Sequence, residues 1–146
     1  MYMIAIGCDH AGYDMKKELM ETLGEKGYEF KDSGCNGEKC DYPDIAEKVC
    51  EDVLSGGCEY GILICGTGIG MSIAANKIKG IRAALCTDSF STKYTRLHNN
   101  ANVMCMGART LGNGLAAELA EIFLTTGFEG GRHQKRLDLI DKLEEC

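Results

Sequence analysis

Short apolar runs alternate with stretches of helical periodicity along the whole chain, and this alternation constrains the fold most. Met3-Ile4-Ala5-Ile6 has the continuous apolar character of a buried strand and stops at Gly7. From about Tyr13 to Lys26, Met15, Leu19 and Leu23 recur every fourth residue, which predicts a helix closed by Gly27. Tyr28-Glu29-Phe30 alternates as a strand does. Pro43 suits the first turn of a second helix with Ile45, Val49 and Val53 on one face, ended by Ser55-Gly56-Gly57. A strand follows over Tyr60 to Ile64, then a glycine loop and a helix over about Ser72 to Lys77. Ile81 to Cys86 and Val103 to Met106 read as strands, with a helix around Thr92 to His98 between them. Leu115 to Leu124 is helical, and so is the amphipathic segment from Arg132 to Glu145.

A βαβαβ alternation with continuous apolar strands predicts a parallel sheet with helices on both faces. The expectation is a single doubly wound α/β domain over residues 1–146. It has about five parallel strands in the order 2-1-3-4-5, with the switch point between the first and third strands. The 146 residues suffice for one core without disulfide staples. Gly127 to Gly131 is the one loose hinge, and it frees the helix over 132–145 to pack on a partner subunit.

Composition narrows the function. There are 16 Lys+Arg against 22 Asp+Glu, a net charge of -6. An acidic field repels phosphate backbones and anionic lipid, so neither nucleic-acid nor membrane binding is expected. No apolar run approaches the roughly 20 residues of a membrane span, and no secretory signal opens the chain. Nine cysteines, an odd number without any Cys-x-x-Cys or zinc-finger spacing, indicate a reducing cytoplasm and no metal site.

In such a sheet, ligands sit at the carboxyl ends of the strands beside the switch point. Those ends are Gly7-Cys8-Asp9-His10 and Cys65-Gly66-Thr67-Gly68-Ile69-Gly70. Three glycines in five residues between a strand and a helix form a cradle of backbone N–H groups for an anion. The spacing is not the dinucleotide fingerprint, and it lacks the Gly-Lys-Ser/Thr ending of a P-loop. Cys65 stands just before the cradle, where helix-end N–H groups favour a thiolate, a usable base or nucleophile. Asp9 can cap the next helix or move protons, and His98 can cap a helix end or transfer protons. Arg132-His133-Gln134-Lys135-Arg136 is basic in an acidic protein. Arg132 and Arg136 share a helix face and suit a phosphate dianion. Together these groups predict a small phosphorylated substrate and cofactor-free proton transfer beside a carbonyl.

Seven blocks carry a resemblance that spans Met3 to about Arg136. They are Gly7 to Gly12, Asp41-Tyr42-Pro43, Ile64 to Gly70, Ala74 to Lys77, His98-Asn99, Gly107-Ala108-Arg109 and Gly130 to Gln134. The chain resembles the type B ribose-5-phosphate isomerases, a family that includes the galactose-6-phosphate isomerase subunits. The resemblance implies an aldose–ketose isomerase interconverting ribose 5-phosphate and ribulose 5-phosphate through a cis-enediol, without a cofactor. It implies Cys65 as the base, Gly66, Thr67, Gly68, Ile69 and Gly70 as the anion hole, and Thr67 acting at the first hydroxyl. His98 assists ring opening with Asp9 as its helper. Arg132 and Arg136 hold the phosphate with His10 and Arg109 nearby, and Tyr42 and Asn99 line the sugar. Relatives without the cysteine carry a glutamate after the glycine loop. Met71 stands there, which places this chain in the cysteine branch. Asn100 stands where many relatives carry an acidic residue.

The resemblance also implies a homodimer or tetramer with active sites shared between subunits. The rival readings are an isomerase of a six-carbon phosphate (allose 6-phosphate or galactose 6-phosphate) and, more remotely, a flavin-binding or thiol redox protein of the same topology. Seven per cent aromatics and no Trp leave few rings to stack a flavin.

Overall fold

A computed structural model describes residues 2–145. Met1 and Cys146, the ends of the expected domain, lie outside the described residues. Five strands and six helices alternate: β1 (Met3–Cys8), α1 (Tyr13–Gly24), β2 (Glu29–Asp32), α2 (Tyr42–Leu54), β3 (Tyr60–Cys65), α3 (Ile69–Asn76), β4 (Ala83–Leu85), α4 (Ser89–Asn99), β5 (Val103–Gly107), α5 (Asn113–Thr125) and α6 (Arg132–Leu143). The five strands form one parallel sheet. Helices α2 and α3 pack on one face, and α1 and α5 on the other. No helix among the described residues is long and apolar enough to cross a membrane.

The doubly wound α/β class stands, but the strand order is β2-β1-β3-β5-β4 rather than 2-1-3-4-5. Burial explains the exchange of the last two strands. All five residues of β5 are buried, whereas β4 is three residues long and only half-buried. A strand covered on both faces belongs in the middle of a sheet, and a short, partly wet one belongs at the edge. The chain therefore leaves β3 through α3, skips one position to lay down β4, and returns through α4 to insert β5.

Helices α3 and α4 each begin three residues earlier than periodicity suggests, and α5 two. Helix α3 starts at Ile69 rather than Ser72, because Gly68 adopts φ 80° and turns the chain straight from the loop into the helix. Helix α4 starts at Ser89, where Asp88 accepts a hydrogen bond from the Ser91 N–H at 2.7 Å. Helix α6 does not stand free of the body. Leu137 is buried, and the Glu144 carboxylate accepts the Gly80 N–H at 3.1 Å. Leu139 and Leu143 remain exposed.

One buried charge anchors the route towards α2. Lys16 on α1 is inaccessible to solvent, and its Nζ donates to Asp32 Oδ1 at 2.8 Å and to the Cys35 carbonyl at 2.7 Å. Lys16→Met leaves that carbonyl only the weak Cys8 thiol donor at 3.7 Å, while Asp32, 35% exposed, regains water. We expect a loss of about 2 kcal/mol in urea unfolding.

Burial also governs most of the thiols. It pushes Cys8, Cys40 and Cys50 up to about 12 and Cys86 to about 11, and it raises Cys58 and Cys105 as well. These six act as small apolar side chains at neutral pH. Below the ordinary thiol value of 9.0, folded and unfolded chains are equally protonated. Above it, the unfolded chain releases protons that the folded chain retains, so stability falls as pH rises towards 12. Denaturation midpoints between pH 8 and 11 should decline, and Cys50→Ala should flatten that decline.

Candidate active site

The switch point builds the first half of the site. β1 and β3 lie side by side, with Cys8 paired to Ile64. Asp9 follows β1, and its N–H donates to the Ile64 carbonyl at 3.2 Å. Its carboxylate Oδ1 accepts the Ala11 N–H at 3.0 Å and the Gly12 N–H at 3.3 Å. Asp9 therefore caps the short 3-10 turn His10–Gly12, with His10 exposed at its start.

Cys65 ends β3 and is 5% exposed. The chain folds back on it, and the Gly68 N–H donates to Cys65 Sγ at 3.2 Å. A hydrogen bond from the loop thus fixes the sulfur at the mouth of the cradle. The Ile69 N–H donates to Thr67 Oγ1 at 3.2 Å. The remaining amides of the first turn of α3 lack intrahelical partners and can meet an anion. The turn after β5 closes over the loop: the Ala108 N–H donates to the Cys65 carbonyl at 2.8 Å and the Arg109 N–H to the Gly66 carbonyl at 2.9 Å. A β-carbon at Gly66 would lie 3.5 Å from Arg109 Nη1, so the guanidinium overhangs the loop. The Tyr42 ring packs against Gly70, where a β-carbon would come within 2.7 Å of it. Asp9, His10, Tyr42, the whole Cys65–Gly70 loop and Arg109 are therefore brought to one end of the sheet.

His98, Asn99, Arg132 and Arg136 are not. Helix α4 leaves β4 at the carboxyl end and runs back to the amino end. There Arg96 Nη2 donates to Tyr60 Oη, at the start of β3, at 2.9 Å. The length of β5 separates the two ends, roughly 16 Å at 3.3 Å per residue. The His98 ring stacks on His133, with centroids 4.0 Å apart and planes at 15°, and meets the Tyr94 edge at 4.9 Å. Burial, reinforced by His98, pushes the His133 pKa below its ordinary value. Arg132 and Arg136 are exposed on the first turns of α6. A cavity of about 750 Å³ between α6, α3 and α4 includes Asn99, Lys77, Arg82 and Leu137 but not Cys65.

Sequence reasoning missed Glu129 and the packing of His133. His98 Nε2 is 3.9 Å and His133 Nε2 is 3.5 Å from the Glu129 carboxylate. Their spacing of four, Glu129 to His133, was the available signal, but the glycines between them favour a hinge reading. Lys16 was also missed, because it occupies a buried position on a helix read only for its apolar seam.

Chemically, the first half is a thiol beside a loop of backbone amides with a guanidinium overhead. The second half offers an imidazole, an amide and two guanidinium groups, without a thiol.

Comparison with known proteins agrees with this chemistry. The family profile described as Ribose/Galactose Isomerase matches residues 4–140. A putative sugar phosphate isomerase of Bacillus subtilis is 53% identical over 97% of this chain and 97% of its own. The ribose-5-phosphate isomerase B of Escherichia coli is 44% identical over 99% of this chain and 98% of its own. The solved ribose-5-phosphate isomerase B of Clostridium thermocellum superposes with a TM-score of 0.95 at 47% identity, covering 98% of this chain and 97% of that one.

Proposed function

The chain belongs to the ribose/galactose isomerase family, and from that premise we propose that it interconverts ribose 5-phosphate and ribulose 5-phosphate in the pentose phosphate pathway. The observation that carries the reading is Cys65 Sγ held by the Gly68 N–H at the mouth of the loop. After ring opening, the Cys65 thiolate removes the proton from C2 of the aldose. Charge passes to the carbonyl oxygen at C1, where loop amides stabilise the cis-enediolate. A proton passes from the C2 hydroxyl to O1 with the help of Thr67, and the Cys65 thiol returns its proton to C1 to give the ketose. No redox partner or cofactor is consumed. His98 serves ring opening, with Asp9 of a neighbouring copy as its helper.

The separation of the two halves supports a shared site. His98, Asn99, Arg132 and Arg136 of one copy complete the crevice formed by Cys65, Asp9, His10, Tyr42 and Arg109 of another, in a homodimer or a pair of dimers. Exposed Ile69, Ile73 and Phe90 offer apolar area for such an interface. The reading places the enzyme in the cytoplasm, in keeping with the free thiols.

Incubation with ribose 5-phosphate in deuterated water, followed by NMR, tests the reaction. Ribulose 5-phosphate with deuterium at the exchanging carbon is expected. Conversion of allose 6-phosphate or galactose 6-phosphate instead would replace the substrate and keep the chemistry. No exchange with any sugar phosphate would overturn it. Arg136→Ala should raise KM for the phosphorylated sugar about 10- to 100-fold, the effect of losing a charged hydrogen bond worth about 1.5–3 kcal/mol, with a smaller change in kcat. An unchanged KM would remove Arg136 from the phosphate site.

A further inference from the structure

His98, Glu129 and His133 offer one donor atom each, and all three atoms lie within 4.8 Å of one another. His133 is 7% exposed, and its Nε2 is buried without a hydrogen-bond partner. The nearest acceptor, the Glu129 carboxylate, stands 3.5 Å away, beyond a good hydrogen bond. A buried imidazole nitrogen left in this way costs free energy unless something satisfies it. We infer that His98, Glu129 and His133 form a binding site for one divalent transition-metal cation of the zinc class.

Two imidazoles and one carboxylate form a donor set that zinc, cobalt and nickel accept and that magnesium and calcium do not favour. Zinc takes imidazole nitrogen at about 2.0–2.1 Å and carboxylate oxygen at about 2.0–2.2 Å, so tetrahedral donors stand about 3.4 Å apart. The separations of 3.5 and 3.9 Å to Glu129 are close to this. The His98 imidazole must turn out of its parallel stack on His133 so that the in-plane lone pairs converge. Glu129 and His98 can supply that movement. Glu129 is exposed in a segment bounded by Gly127, Gly130 and Gly131, and His98 is half-exposed on the last turn of α4. His133 is the fixed member. Water takes the fourth position. The positive charges of Arg132 and Arg136, which also act on His133, oppose the cation and weaken its binding.

The spacing rules for metal sites miss this cluster because one ligand ends a helix and another lies in a loop more than a helix away in sequence. The site goes beyond the isomerase reading and does not rest on it. Only a consequence does: a bound cation would take the His98 lone pair out of ring opening.

Titration of the protein without a polyhistidine tag, using Co²⁺ alone and then Zn²⁺ in competition, tests the site. One Co²⁺ per chain is expected, with visible d–d bands of nitrogen and oxygen coordination and no near-ultraviolet thiolate-to-cobalt band. Glu129→Gln, at an exposed position that leaves the fold intact, should weaken Kd at least tenfold, and His133→Gln likewise. Mg²⁺ should not compete. A thiolate band, unchanged affinity in Glu129→Gln, or no binding at millimolar metal would overturn the site. These readouts do not involve turnover, so a failed isomerase assay would leave them unaffected.

Discussion

Cys65→Ala is expected to lower kcat for sugar-phosphate isomerisation by about 10²- to 10⁴-fold, the contribution of a positioned general base. Binding of the sugar phosphate should survive, because the arginines and the loop amides remain. The structure makes this a sharp test. Burial raises Cys8, Cys40, Cys50, Cys58, Cys86 and Cys105, so none of these thiols is poised to take over. Cys65 instead sits at a strand end with a backbone N–H on its sulfur. Calorimetric binding together with single-turnover kinetics would separate the two effects. Retained turnover would remove Cys65 from the base role.

Gly68→Ala should be nearly as damaging, and by a different route. Gly68 adopts φ 80°, where an L-residue is strained. A β-carbon there would meet Leu85 Cδ1 at 2.7 Å and the Met106 carbonyl carbon at 2.8 Å. The leucine can turn aside, but the β5 backbone cannot. We expect a loss of about 3 kcal/mol in stability from strain and overpacking together. Any shift that relieves the clash also withdraws the N–H from Cys65 Sγ, so kcat should fall even in the folded fraction. Urea unfolding and kcat per folded molecule report the two separately. A stable, fully active Gly68→Ala would show that the loop tolerates a different path.

The neighbouring residues indicate how far local reasoning reaches. The apolar seam of Met15, Leu19 and Leu23 on α1 is buried as its spacing predicts. Pro43 stands in the first turn of α2, and the glycine loop joins β3 to α3. Each of these depends on contacts between residues close in sequence. Lys16 was not legible, since its partners Asp32 and Cys35 reach it only when β2 is laid beside β1. His133 reads as one member of a basic run, and only the fold buries it against His98.

Periodicity and glycine placement alone thus determine a parallel α/β sheet, its helices, and a thiol beside an anion cradle at a strand end. Those features are local, because side-chain burial repeats with the period of the element that carries it. Tertiary structure decides that β5 lies inside β4, because only the assembled sheet compares their burial. It also decides that α4 carries His98 to the end of the sheet opposite Cys65. The direction in which a helix runs back along a sheet is a property of the whole packing, and no spacing within the helix records it.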